Sequence, residues 1–216
     1  MPDDRGPHDE KLALILRTAA SIFAEKGYHQ ASIRDISRAT GISLSGLYYY
    51  VRSKEEILFR IQEHSFATVL ENLGRLLEGE IDPEVRLRLL VENHLRFFVN
   101  NMKEMKVLSH EATALTGDAR ARVNSLKRRY TDLCIELLRQ LRPDVETDRV
   151  REASMGLFGM MNWIYNWYRP GVDPRVEDLA ADFTSLFLHG YLTHGKPSPT
   201  GKETAGPSIW SPSPAN

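Results

Sequence analysis

Apolar side chains recur along most of the chain at intervals of three and four residues, the spacing of one face of an α-helix. The first segment shows the pattern clearly, with Leu12, Ile15, Leu16, Ala19 and Phe23 on one face. Glycine, proline and serine residues divide the pattern where helices are expected to end or begin. The sequence therefore predicts an all-α protein, with helices at 9–26, 32–39, 43–50, 53–79, 83–101, 103–114, 118–141, 147–168 and 174–194.

The composition predicts a cytoplasmic protein that does not enter a membrane. The single cysteine, Cys134, excludes an intrachain disulfide and a multi-cysteine zinc site, which is typical of a reducing compartment. The acidic N-terminus lacks the apolar core of a signal peptide. The longest apolar stretch, Leu157 to Tyr168, is interrupted by Asn162 and Asn166 and is far shorter than the roughly 20 residues of a membrane helix.

Charge is distributed unevenly along the chain. With 28 basic and 29 acidic residues the net charge is −1, which excludes a generally basic nucleic-acid coat. Between Lys11 and Lys54, however, seven basic side chains face only two acidic ones, Glu25 and Asp35. A local basic segment in a neutral protein favours a module that binds a polyanion, although a solvated charged face would give the same count.

A helix-turn-helix pattern lies within this basic segment. Ser32 is placed to cap a short helix through Ile33 and Ile36, Gly41 breaks that helix, and Ser43 caps the next one. In such a unit the first helix crosses the sugar-phosphate backbone, while the second enters the major groove. The motif and the local charge together predict binding to double-stranded DNA.

The segment from Ser43 to Leu58 resembles the signature of the TetR family of one-component transcriptional regulators. The family pattern is a serine-capped helix with Leu-Tyr-x-His/Tyr-Phe, two further residues and Lys-x-x-Leu. Two positions depart from it, because Ser45 stands where glycine is usual and Val51 stands where phenylalanine is usual. The pattern maps onto Leu47, Tyr48, Tyr50, Val51, Lys54 and Ile57.

This resemblance implies a division into three regions and a mode of assembly. Residues 8–53 would form a helix-turn-helix DNA-binding domain, and residues 54–195 a helical effector-binding and dimerisation domain. Residues 196–216 hold five of the eleven prolines and are expected to be a disordered tail. The protein would then be a homodimer, joined through about 147–168 and 174–194, on a palindromic operator.

The resemblance and the side-chain chemistry together suggest the DNA contacts. Ser43 caps the recognition helix, and Leu44, Ser45, Gly46 and Tyr49 would face base edges, with Gly46 allowing close approach. Hydroxyl and cationic groups suit phosphate oxygens, and Lys54→Ala would weaken binding to all sequences and lower its salt dependence. Packing against a neighbouring helix is the alternative for Tyr49 and Tyr50. The phosphate-facing candidates are Arg34, Tyr48, Tyr50 and Lys54.

The aromatic run from Leu157 to Gly171 is similar to the penultimate helix of the TetR branch that responds to acyl-CoA thioesters, which includes repressors of fatty-acid and sterol degradation. The resemblance implies a hydrophobic effector, an acyl-CoA or aryl-CoA thioester, that releases the protein from DNA. Plain core packing is the alternative for each apolar candidate, and a solvated face for the basic ones. The wall candidates are Phe97, Phe98, Met102, Met105, Leu126, Tyr130, Leu133, Trp163, Asn166 and Trp167, and the candidates for the CoA phosphates are Arg129 and Arg169, with Arg122, Lys127 and Arg128 nearby.

Other functions are less well supported by the residues. A TetR-type sensor of a drug-like ligand that regulates efflux or aromatic-compound genes is the nearest alternative. An all-α enzyme or binding module that does not bind DNA is the other. No phosphate-binding loop or nucleophile elbow is present, and His189 and His194 are five residues apart rather than the three or four of helical ligand pairs. No cofactor, metal or enzymatic activity is expected.

Overall fold

The computed structural model describes residues 7–111 and 113–193, and within them the all-α prediction is confirmed. The predicted disordered tail, 196–216, lies outside these residues. The helices of the described part are α1 (Pro7–Lys26), α2 (Ile33–Thr40), α3 (Leu44–Tyr50), α4 (Lys54–Leu77), α5 (Pro83–Asn100), α6 (Met102–His110), α7 (Gly117–Leu141), α8 (Thr147–Asn162), a 3-10 helix (Trp163–Asn166) and α9 (Val176–Thr193).

Local signals build the helix-turn-helix of α2 and α3 as the sequence predicted. Ser32 and Asp35 form a capping box at the start of α2, and the side chain of Ser43 accepts a hydrogen bond from the Gly46 amide at the start of α3. Gly41 ends α2 with a φ of 71°, a left-handed conformation that suits glycine. Leu47 of α3 is fully buried, which fixes α3 against the core of the unit.

The remaining helices form a bundle around α5. This helix contacts α4, α7, α8 and α9, and its Leu87, Leu90, Val91 and Leu95 are fully buried. The long α4 contacts α1, which packs against α2, and also contacts α5 and α7 of the bundle, so it joins the helix-turn-helix unit to the bundle. In the described part, no helix combines the length and apolarity needed to span a membrane.

The predicted helix over 147–168 is shorter in the structure. The α-helix ends at Asn162 and continues as a single 3-10 turn, the tighter winding that commonly closes an α-helix. Ile164 and Tyr168 are buried, and the Tyr168 hydroxyl donates a hydrogen bond to the Pro174 carbonyl at 3.0 Å. These contacts turn the chain back toward α9, so a straight helix to Tyr168 would lose them.

Candidate DNA-binding surface and effector cavity

The recognition helix α3 has one buried face and one exposed face. Leu47 is fully buried and Val51 is 1% exposed, whereas Leu44, Tyr48 and Tyr49 are 38%, 54% and 75% exposed. Large apolar and aromatic side chains are unusual on a solvated helix, so this face is suited to contact with a partner surface. The predicted base-facing residues therefore lie on the accessible side of α3.

The first turn of α3 is organised by its own side chains. The hydroxyls of Ser43 and Ser45 lie 3.1 Å apart, and Ser45 is exposed. A Cβ on Gly46 would meet the Ile42 side chain at 2.9 Å, so packing within the turn accounts for this glycine. Its predicted role in close approach to DNA is not needed to explain it. Arg34 is exposed in the first turn of α2.

Tyr50 contacts the first turn of α1. The ring of Tyr50 lies 4.8 Å from that of His8 and meets Tyr49 edge-on at 5.1 Å. His8 also contacts Tyr49 at 5.9 Å. Tyr50 is half-buried and packs against α1, as the packing alternative predicts. Tyr49 is 75% exposed.

The Lys54 ammonium, predicted to contact a phosphate, is hydrogen-bonded to the protein's own backbone. Its Nζ donates to the carbonyls of Tyr28 at 2.8 Å, Ala31 at 2.9 Å and His29 at 3.3 Å. The same ammonium lies 4.4 Å from the centre of the Tyr28 ring. An ammonium has three N–H donors, and here all three have backbone acceptors. Lys54 therefore ties the loop before α2 to the start of α4.

A cavity of about 550 Å³ lies among α4, α5, α6, α7, α8 and the 3-10 helix. Its walls bring together five predicted effector residues, Phe97, Phe98, Met105, Tyr130 and Trp163. They also include residues that were not predicted as effector contacts, namely Phe66, His94, Met155, Phe158 and Asn162. A partly enclosed, mainly apolar cavity of this size is typical of a small-molecule site.

Seven predicted effector residues do not line this cavity. Leu126 is buried, and Leu133 is partly buried against the core, which is what the packing alternative predicts. The Arg169 guanidinium is paired with Asp173 at 3.2 Å, and Arg129 is exposed. The remaining three residues outside the lining are Met102, Asn166 and Trp167.

Lys127 is the basic residue that reaches the cavity. Its Nζ lies 5.3 Å from the centre of the Phe66 ring, and burial lowers the pKa of its ammonium. No carboxylate is among the described side chains of the lining. A partly desolvated cation without an opposing acid favours a ligand with an anionic or strongly polar group. The sequence placed Lys127 in a run of basic residues but gave no sign of its burial.

His94 is a buried residue of the cavity wall. Its Nδ1 is 3.2 Å from the Tyr130 hydroxyl, and its Nε2 is 3.2 Å from Oδ1 of Asn162. The ring stacks on Phe98 at 4.3 Å. Burial lowers the pKa of His94 to about 3, so the imidazole is neutral at physiological pH.

This buried histidine predicts a stability that falls in mild acid. The unfolded chain titrates His94 near an ordinary pKa of about 6.5, so between that value and 3 it binds more protons than the folded chain. Stability should therefore decrease as pH drops below 6.5, by up to about 1.4 kcal/mol per pH unit. Denaturant unfolding of wild type and His94→Gln between pH 7 and pH 5 measures this. The variant should show the shallower dependence, and exposed-site His29→Gln should follow wild type; parallel curves for wild type and His94→Gln would contradict the assignment.

Helix α6 joins the cavity to the helix-turn-helix unit. Met105 and Ser109 line the cavity, and just beyond the helix Oε1 of Glu111 accepts the backbone N–H of Tyr28 at 3.0 Å. Gln62 of α4 donates to the Glu111 carbonyl at 3.2 Å. Tyr28 is also the residue whose carbonyl Lys54 holds. A displacement of α6 would therefore move Glu111 and Tyr28, and with them the loop that precedes α2.

Two family models match the chain. One, described as bacterial regulatory proteins of the tetR family, matches residues 15–61, and the other, described as a tetracyclin repressor-like C-terminal domain, matches residues 80–191. The crystal structure of a TetR-family transcriptional regulator from Bordetella parapertussis is 32% identical, with a TM-score of 0.81, over 85% of this chain and 97% of that one. The crystal structure of AibR in complex with isovaleryl coenzyme A and operator DNA is 25% identical, with a TM-score of 0.72, over 82% and 97%.

Two curated relatives have opposite effects on transcription, one as an activator and one as a repressor. The transcriptional activator FasR of Mycolicibacterium smegmatis is 24% identical over 88% of this chain and 87% of its own length. The transcriptional repressor KstR2 of Mycobacterium tuberculosis is 22% identical over 84% of this chain and 92% of its own length. The similarity in each case extends over both parts of the molecule.

Proposed function

The chain belongs to the TetR family of bacterial regulatory proteins, and from this membership we propose that it is a homodimeric transcriptional repressor released from its operator by an acyl-CoA or aryl-CoA thioester. The observation that carries the proposal is the position of α6, which lines the cavity on one side and holds the Tyr28 amide through Glu111 on the other. A ligand that binds better to one position of α6 shifts DNA affinity by that difference in binding energy.

The exposed face of α3 supports a direct reading of bases. Leu44 can contact a thymine methyl group, and the Ser45 hydroxyl can donate to or accept from a base edge. Arg34 and Tyr48 extend from exposed positions with groups suited to phosphate oxygens. The excess of positive charge between Lys11 and Lys54 adds a sequence-independent attraction.

These assignments predict two kinds of DNA-binding defect. Arg34→Ala should weaken binding to all sequences alike and lower the salt slope by about 1 unit per protomer, because one phosphate contact is lost. Leu44→Ala should instead change the preferred sequence, with little change in the slope. Fluorescence anisotropy on the DNA upstream of the gene, and on a scrambled duplex, measures both. The same behaviour in the two variants would contradict the division into phosphate-facing and base-facing residues.

Uncovered surfaces of α8 and α9 support the proposed dimer. Leu186 of α9 is 68% exposed, and Ala181 of α9 and Gly156 of α8 are also exposed. A Cβ on Gly156 would meet nothing within 4 Å, so packing inside the protomer does not require this glycine. Small and apolar side chains on two helices suit a twofold interface of about 2,000 Å². Two recognition helices would then reach half-sites about 34 Å apart.

The properties of the cavity support the proposed effector class. Its volume of about 550 Å³ accommodates an acyl or aryl group, while the bulkier CoA moiety would extend through the opening. Lys127 supplies positive charge, with no described carboxylate in the lining to oppose it. The similar protein AibR was solved in complex with isovaleryl coenzyme A, which is an acyl-CoA thioester like the proposed effector. We propose repression because the relative KstR2 is a repressor. Another relative, FasR, is a transcriptional activator, so both effects on transcription occur among similar proteins.

A further inference from the structure

Three polar side chains interrupt the apolar lining of the cavity at one place. His94 comes from α5, Tyr130 from α7 and Asn162 from the last turn of α8, and the two distances that join them are both 3.2 Å. His94 and Tyr130 are both buried, at 4% and 4% exposure, whereas Asn162 is exposed. Burying His94 and Tyr130 beside aromatic rings costs free energy unless their hydrogen bonds are made, so each of their polar atoms is expected to have a partner.

The hydrogen bonds among His94, Tyr130 and Asn162 leave one donor group, the Asn162 NH₂, without a protein acceptor in the described residues. A neutral imidazole has one N–H and one lone pair. With Oδ1 of Asn162 opposite Nε2, the ring donates from Nε2 and accepts the Tyr130 O–H at Nδ1. The carbonyl oxygen of the Asn162 amide is thereby engaged, which turns its NH₂ group away from the ring. In the described part of the chain no acceptor is bonded to that NH₂ group, and because Asn162 is an exposed residue of the cavity lining, the group is accessible to a ligand.

We propose that the Asn162 amide donates to an oxygen of the bound acyl group, so that the cavity selects its ligand by a carbonyl or hydroxyl oxygen as well as by apolar volume. The inference rests on the proposed function and adds the chemistry by which the acyl group is recognised. Two sources of that oxygen share the same chemistry, namely the thioester carbonyl and a hydroxyl group on the acyl chain. A plain hydrocarbon at this level would cover the NH₂ group without accepting from it.

The neighbouring residues hold this donor in place. The His94 ring is fixed from one face by Phe98, with the two planes 22° apart, and from its Nδ1 by Tyr130. Its Nε2–H therefore meets the Asn162 oxygen from a set direction, and the NH₂ group is oriented before the ligand arrives. Preorganisation of this kind reduces the ordering cost on binding. His94 and Tyr130 are thus positioning residues, and Asn162 is the residue that touches the ligand.

The test compares ligands that differ only in the oxygen. Octanoyl-CoA has the thioester carbonyl, S-octyl-CoA is the matching thioether without it, and β-hydroxyoctanoyl-CoA adds a hydroxyl group. Calorimetric titration of the full-length protein should give about threefold tighter binding of octanoyl-CoA than of S-octyl-CoA, as expected for one hydrogen bond from a neutral amide. In Asn162→Leu this ratio should fall to about one, mainly because the thioester binds more weakly.

Asn166→Leu is the matched control, since Asn166 belongs to the same aromatic run but does not line the cavity. It should keep the wild-type ratio. A gain with β-hydroxyoctanoyl-CoA that disappears in Asn162→Leu would also support the proposal, with the chain hydroxyl as the source of the oxygen. Equal binding of all three ligands to wild type would overturn the inference and leave the proposed effector class standing. If none of the three binds, both the inference and that effector class are overturned.

Discussion

Lys54→Ala is expected to weaken operator binding about tenfold at every salt concentration, while the slope against salt stays unchanged. The reason is that the Lys54 ammonium is held by the Tyr28, His29 and Ala31 carbonyls. Hydrogen bonds from a charged donor contribute about 1.5–3 kcal/mol each and are not additive when they share one donor. We therefore expect the free energy of unfolding to fall by about 2 kcal/mol, with the helix-turn-helix less well positioned.

Lys106→Ala is the control for loss of one positive charge, because Lys106 is exposed on α6. It should leave both thermal stability and operator binding near wild type. Denaturant unfolding combined with anisotropy titrations at several salt concentrations separates the two roles of Lys54. A slope reduced by about 1 unit per protomer, with stability unchanged, would instead identify Lys54 as a phosphate contact.

Ser109→Trp is expected to abolish the response to effector while operator binding without effector stays near wild type. Ser109 is an exposed residue of α6 on the cavity wall, so an indole there would occupy the space of the acyl group. The loss should be large, because release requires that the effector bind one conformation better than the other. Anisotropy of an operator duplex, titrated with octanoyl-CoA, measures this directly.

Ser125→Trp is the corresponding control on α7, at an exposed serine outside the cavity lining. This variant should release DNA as wild type does. Release by Ser109→Trp at wild-type effector concentrations would contradict the assignment of the cavity as the effector site. Loss of release in both variants would point to a general effect of the added indole.

The helix-turn-helix could be predicted because its signals are local. Ser32, Gly41 and Ser43 act on backbone groups within a few residues of themselves, and the buried Leu47 follows from helical spacing. The direction of the Lys54 side chain could not be obtained in this way. Its three acceptors come from a loop more than twenty residues earlier, and a motif gives the position of a residue rather than its contacts.

The cavity was predicted only in part because its walls come from several helices. Helical spacing identifies apolar residues, but the side facing the cavity depends on how each helix is rotated in the bundle. Tyr130 therefore lines the cavity, while Leu126, one turn earlier, is buried outside the cavity lining. His94 lines the cavity but was not predicted to do so, because a histidine within an apolar helix gives no sign of its partners on α7 and α8.

The most direct test of the account is a titration of a palindromic duplex from the upstream region of the gene, with and without octanoyl-CoA. We expect two protomers to bind each palindrome and the thioester to lower operator affinity at least about tenfold, within the usual range of allosteric coupling. An operator affinity unchanged at a thioester concentration that saturates the cavity, or a single protomer on each palindrome, would contradict the account.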